Sequence, residues 1–121
     1  MNFETLSRWA EEEIKALAKA LPADVREAAN HVPVSMEEKP GIGASDDELE
    51  GDELGLFEGP SAMEEPDAGE LPRIRLFLMN LWEWADRDEQ DFRDEVGTTF
   101  LHELGHYLGW DEDEISERGL E

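Results

Sequence analysis

Phe100-Leu101-His102-Glu103-Leu104-Gly105-His106-Tyr107-Leu108-Gly109-Trp110-Asp111-Glu112-Asp113-Glu114 is the most informative stretch of the chain. It lies at the end of a proline-free segment that runs from about Asp88 to Leu108 and opens with a crowd of acidic residues, as the positive end of a helix dipole favours. A helix is predicted there. On a helix, two histidines four residues apart stand about 40° apart around the axis and one turn apart along it, so both imidazoles of His102 and His106 can reach one metal ion from one face. Glu103 is then placed to hydrogen-bond a water on that metal without being a ligand itself. Gly109 offers a left-handed helix stop, after which the backbone can swing an acidic residue back toward the ion.

The same periodicity puts Gly97, Leu101, Leu104 and Leu108 on one side of the helix and Phe92, Thr99, His102, Glu103 and His106 on the other. Both sides need something to face, which suits a helix under a sheet with a cleft beside it. Upstream, Arg73 to Met79 reads as the best strand, with Ile74, Leu76 and Leu78 on one face and Phe77 and the arginine stems on the other, inside a sheet. Trp82 and Trp84, which follow it, read as core or capping residues. Leu54 to Glu58 alternates weakly between Gly51 and Gly59-Pro60 and is expected to be a short strand. His31 to Met36 also reads as a strand, pushed by Pro33 to a sheet edge or a strand start, with His31 an ordinary strand-edge histidine. At the beginning, Phe3 to Leu21 shows an amphipathic helical pattern stopped by Pro22, and a short helix over Ala23 to Ala29 ends near Asn30.

Residues 37 to 70 carry 13 acidic residues and one lysine, Lys39, and are expected to be mostly surface loop. The whole chain of 121 residues has 33 Asp and Glu against 10 Lys and Arg, a formal charge of −23. A length of this order suits one domain, here residues 1–121. A polyanion of that strength is repelled by phosphate backbones and by anionic membrane surfaces, which argues against nucleic-acid and membrane partners. No apolar run reaches the roughly 18 residues of a membrane span, and no signal peptide is evident, so a soluble cytoplasmic protein is expected. With no cysteine, thiolate zinc sites, disulfides and thiol nucleophiles are excluded, and His and carboxylate are the strong ligands that remain. The acidity fits solubility, salt adaptation or attraction of basic substrates alike.

These residues resemble the minimal zincins, small bacterial metallopeptidases. The likeness runs through the N-terminal helix, the Leu21-Pro22 break, Val32 to Met36, Leu56-Phe57-Glu58-Gly59-Pro60, Gly69-Glu70-Leu71-Pro72 with its strand, and His102 to Gly109. The resemblance implies an α+β fold with a small mixed sheet packed on the motif helix. It also implies zinc as the cofactor, His102 and His106 as ligands and Glu103 as general base. The extended pattern is similar to the metzincin signature, whose third ligand stands six residues after the second His; that position is Glu112, with Asp111 and Asp113 beside it. The methionine turn of metzincins is missing, since Met1, Met36, Met63 and Met79 all precede the motif. A gluzincin-type ligand from a later helix would have to be Glu117 or a neighbouring glutamate. By analogy with larger zincins, Leu54 to Glu58 is the candidate edge for pairing with an extended peptide. The expected activity is therefore zinc-dependent hydrolysis of peptide bonds in a peptide or protein substrate. The alternative is a zinc-stabilised module that binds peptide without cutting it, and a weaker third is an acidic decoy for a basic partner. Tyr107 is close enough along the helix to stabilise an oxyanion, but its place near a helix end favours packing.

Overall fold

The computed structural model describes residues 1–40, 50–62 and 71–117, and only the backbone of residues 112, 115 and 116. The first helix, α1 (Phe3–Ala20), starts where Asn2 accepts the Thr5 N–H at 2.8 Å and buries Leu6 and Ala10. A second, α2 (Ala23–Ala29), follows the Pro22 break, buries Val25 and closes at Asn30. Three strands, β1 (Val34–Glu37), β2 (Gly55–Glu58) and β3 (Arg73–Phe77), form one sheet in the order β1-β3-β2. β1 runs parallel to β3 and β2 antiparallel to it, so the sheet is mixed and β3 lies inside. Then come α3 (Leu78–Trp84), α4 (Glu89–Tyr107) and α5 (Glu112–Glu117). This is the expected α+β architecture.

Cross-strand register explains the two faces of the sheet. Val34, Met36, Phe57, Ile74 and Leu76 share the face turned to the core, where Ile74 and Leu76 are fully buried. The opposite face carries Arg75, which is 4 % exposed and grips Glu37 through two N–H groups, each 2.8 Å from a carboxylate oxygen. Glu58 stands 3.5 Å from the same guanidinium and accepts a hydrogen bond from Arg73 at 2.9 Å. The arginine also lies over the Phe77 ring at 5.1 Å, so the outer face holds its buried charge between carboxylates and an aromatic ring. The two Arg75 hydrogen bonds, the largest influence, hold the Glu37 carboxyl below its ordinary pKa against the opposing effect of partial burial.

α4 packs on α1, β2, β3 and α3. Phe92, Val96, Phe100, Leu104 and Tyr107 form its buried stripe, with α1 on one flank and β2 on the other. On the α1 flank, Leu17 fills the notch left by Gly97, and Arg93 reaches Glu12 at 3.0 Å and Glu13 at 3.4 Å while lying over the Trp9 ring. Asp88 caps the helix by accepting the Asp91 N–H at 2.9 Å. Among the described residues, no helix is long and apolar enough to cross a membrane.

Three expectations need correction. The strand from Arg73 ends at Phe77, and Leu78 and Met79 begin a helix. Leu78, Leu81, Trp82 and Ala85 are buried at a spacing of three and four, a helical stripe whose start is hidden because the apolar run of the strand, Leu76 to Met79, continues into it. No capping side chain marks its start, because Phe77 occupies the N-cap. Trp82 is in the core against Trp9 and Phe92, but Trp84 is 65 % exposed and belongs to the surface. The first strand begins at Val34, because His31 and Val32 close the turn after α2 through hydrogen bonds to Ala28 and Ala29. His31 is thus an exposed turn residue. Pro33, which has no N–H, still accepts the Ile74 N–H at 2.9 Å and leads into an edge strand as expected.

Candidate metal centre and groove

His102, Glu103 and His106 project from the last two turns of α4, all half-buried. Their ligand atoms lie within 4.8 Å of one another. The Nε2 atoms of His102 and His106 are 3.2 Å apart, with the two rings nearly perpendicular. Two nitrogens bound to one tetrahedral zinc at about 2.05 Å are separated by about 3.3 Å. The donor set, imidazole nitrogen with carboxylate oxygen, is also one that zinc accepts. The residues present therefore fit the ion. With both Nε2 atoms turned to a metal, each ring must carry its proton on Nδ1.

The helix stops immediately after the motif. Gly109 has φ of 83°, a left-handed conformation that disfavours other residues, and its N–H bonds to the His106 carbonyl while the Trp110 N–H bonds to the Gly105 carbonyl. This double closure turns the chain sharply into α5. Asp111 then caps α5, its Oδ1 accepting the Glu114 N–H at 2.9 Å. The acidic run therefore does begin a helix. The expected third ligand, Glu112, has a side chain outside the described residues. Among the described residues the ligand cluster comprises His102, Glu103 and His106, and Asp111, Asp113 and Glu117 do not join it.

Beside the motif lies an open groove of about 410 Å³ between α4 and the start of β2. One wall is Glu53, Leu54 and Gly55; the other is Glu95, Thr98 and Thr99, followed by His102 and Glu103. Glu95, Thr99, His102 and His106 recur at four, three and four residues, so the motif stripe continues back along the helix. Trp84 stands at the same groove. Phe77 donates its N–H to the Leu54 carbonyl at 3.0 Å, and antiparallel alternation then aims the polar groups of Leu54 and Leu56 at β3. The N–H and C=O of Gly55 and Phe57 are left pointing to the outer edge of β2.

Three residues that build this groove carry no sequence signal of their own. Asn80 donates through Nδ2 to the carbonyls of Gly51 and Glu53, both at 2.9 Å, and so pins the lip ahead of β2. Glu53 accepts the N–H groups of Glu50 and Gly51 at 2.8 Å each, and the Glu50 contact foremost holds its carboxyl below the ordinary pKa. Glu95 differs from other helix glutamates only in the neighbours that the fold gives it. Tyr107 is packed, as expected: it is 8 % exposed, its ring lies 5.7 Å from that of Phe57, and its carbonyl accepts the Ala62 N–H at 2.7 Å.

The sequence profile of a family described as "Zincin-like metallopeptidase" matches residues 29–120, well over half of the chain. No curated protein shows significant similarity to it.

Proposed function

The chain belongs to the family of zincin-like metallopeptidases, and on that premise we propose that it is a zinc-dependent peptidase that hydrolyses amide bonds in extended polypeptide. The observation that carries this reading is the 3.2 Å approach of the His102 and His106 Nε2 atoms, with the Glu103 carboxylate in the same cluster. His102 and His106 would hold the ion, with Glu112 as third ligand. When bound, zinc supplies Lewis acidity that polarises a carbonyl and acidifies water near neutral pH. Glu103 takes the proton from the attacking water as its oxygen bonds to the carbonyl carbon. The same carboxyl then delivers that proton to the amide nitrogen, which leaves as the amine when the C–N bond breaks.

Substrate is oriented by backbone pairing. The outward polar groups of Gly55 and Phe57 offer an extended peptide a strand to join, and the groove beside them leads to the motif. Because such pairing reads main chain, it holds a peptide extended along β2 whatever its sequence, and register is left to its side chains.

The test is metal content and turnover in three proteins purified without chelator. Wild type should carry near-stoichiometric zinc, and His106→Ala should lose it. Glu103→Gln should keep the zinc and lose turnover of a mixed peptide library by about 10²–10⁴-fold, the usual weight of a positioned general base. Zinc retention with no turnover in wild type, and unchanged peptide binding in Glu103→Gln, would make the protein a zinc-stabilised binding module instead. No zinc in wild type, even when it is offered at neutral pH, would remove the peptidase reading.

A further inference from the structure

An exposed tryptophan alone carries no meaning, but Trp84 is placed where a ligand would pass. It is 65 % exposed and lines two adjoining hollows, the groove with His102 and Glu103 and a second one with Asp52, Asn80 and Glu83. No lysine or arginine is among the described residues lining either hollow. The carboxylates there differ in how they are occupied. Glu53 is tied to its own loop by two backbone N–H groups, and Glu83 faces Lys39 at 3.6 Å. Half-buried Glu95 carries neither a side-chain hydrogen bond nor an ion pair among the described residues.

The fold twice seats an arginine between an aromatic ring and glutamates. Arg75 lies 5.1 Å over Phe77 with Glu37 on its guanidinium, and Arg93 lies 5.7 Å over Trp9 with Glu12 and Glu89 on its own. In both cases the cation stands over the ring and the carboxylates take its N–H groups. Trp84 and Glu95 bring the same two kinds of partner to one groove. We infer that they form a subsite for an arginine or lysine side chain of a peptide bound in that groove. The inference rests on the groove being a peptide site, as proposed above. Glu95 precedes His102 by seven residues, roughly 10 Å along the helix. An extended peptide advances about 3.3 Å per residue, so the basic side chain sits roughly three residues from the bond held at the motif.

Binding can be read without turnover, using zinc-loaded Glu103→Gln protein. The probes are capped alanine hexapeptides with one arginine walked through the six positions, each paired with its citrulline counterpart, which keeps the shape and removes the charge. Calorimetry should show at least a tenfold preference for arginine over citrulline in one register. Trp84→Ala and Glu95→Gln, each added to that protein, should reduce the preference to within about twofold. Equal affinity for both peptides, or no binding of any arginine peptide at millimolar concentration, overturns the subsite. So does an arginine preference that survives both substitutions, since it would then come from the net charge of −23 as a whole. The two readings fail separately. Turnover by wild type without arginine preference removes the subsite and keeps the peptidase, whereas arginine-selective binding without turnover does the reverse.

Discussion

Gly55 and Thr99 hold β2 against α4 so closely that a Cβ on Gly55 would stand 2.6 Å from Thr99 Cγ2. The wall of the groove and the helix bearing the motif are thereby set in contact by the absence of one side chain. Gly55→Ala should destabilise the protein by about 1–3 kcal/mol, the usual cost of overpacking. Adding Thr99→Ser removes the offending methyl and should return part of that loss. The return is incomplete because the Arg75 carbonyl and Leu76 Cδ2 would each lie 3.2 Å from the new atom. Urea midpoints of the two single variants and the double variant give the coupling directly. Strictly additive losses would mean that the helix and strand are not in the contact described.

The ion pair on the outer sheet face sets an acid limit on stability. Arg75 keeps the folded-state pKa of Glu37 below its unfolded value, so the stabilisation is fully present above the ordinary glutamate range and is lost as pH falls through the lowered value. Glu37→Gln should cost about 1.5–3 kcal/mol at pH 7, the range for hydrogen bonds to charged groups. The gap between variant and wild type should narrow as pH drops below about 4. Denaturant titrations at pH 7, 5 and 3 measure it. A gap that stays constant across those values would mean that Arg75 does not favour the ionised form of Glu37 in the folded chain.

Two consecutive residues between α3 and α4 are left-handed, Asp86 with φ of 55° and Arg87 with φ of 60°. That conformation disfavours side chains by roughly 1–2 kcal/mol, though aspartate tolerates it better than most. Arg87→Gly should therefore raise stability by about 0.5–1 kcal/mol and Asp86→Gly by less, since glycine also gains freedom when unfolded. Thermal melts should order the three proteins accordingly. A lower melting temperature for Arg87→Gly would mean that its side chain, not its backbone, governs the turn.

Asn80 holds the groove lip through two carbonyls, so Asn80→Ala should act locally before it acts globally. The Phe77 amide, bonded to the Leu54 carbonyl, reports that lip, and its hydrogen exchange should quicken by at least tenfold. Amides in the middle of α4 should be unaffected by comparison. Uniform acceleration would show instead that Asn80 supports the fold as a whole.

Metal should stabilise the folded chain by mass action. At a free zinc concentration of 100 times the dissociation constant the gain is about 2.7 kcal/mol. Chelator should lower the melting temperature of wild type and leave His106→Ala where it was. An equal response in both proteins would place the metal elsewhere.

Much of this fold was legible because its signals are local. α1, α2 and α4 have capping residues or a proline stop at their ends, and Gly109 marks the close of the motif helix by a left-handed conformation that other residues disfavour. The paired histidines needed only helical spacing. α3 gives no such mark, because the apolar stretch Leu76 to Met79 looks the same at either period and the helix start lacks a polar cap. The groove was legible only in part. Leu54 to Glu58 could be named as an edge, but the place of Trp84, Asn80 and Glu95 depends on which elements the sheet brings opposite one another, and no local pattern encodes that.

β1 and β2 are never neighbours, and each pairs with β3, which comes last along the chain. During synthesis from the N-terminus both strands therefore wait without a partner until Arg73 to Phe77 has emerged. A waiting strand is a template for pairing with another nascent copy. The 13 acidic residues spread over positions 37 to 70 make that interval strongly anionic, so two such copies repel each other during this interval. That acidic interval thus protects the half-made sheet, and neutralising it should tell first on soluble yield.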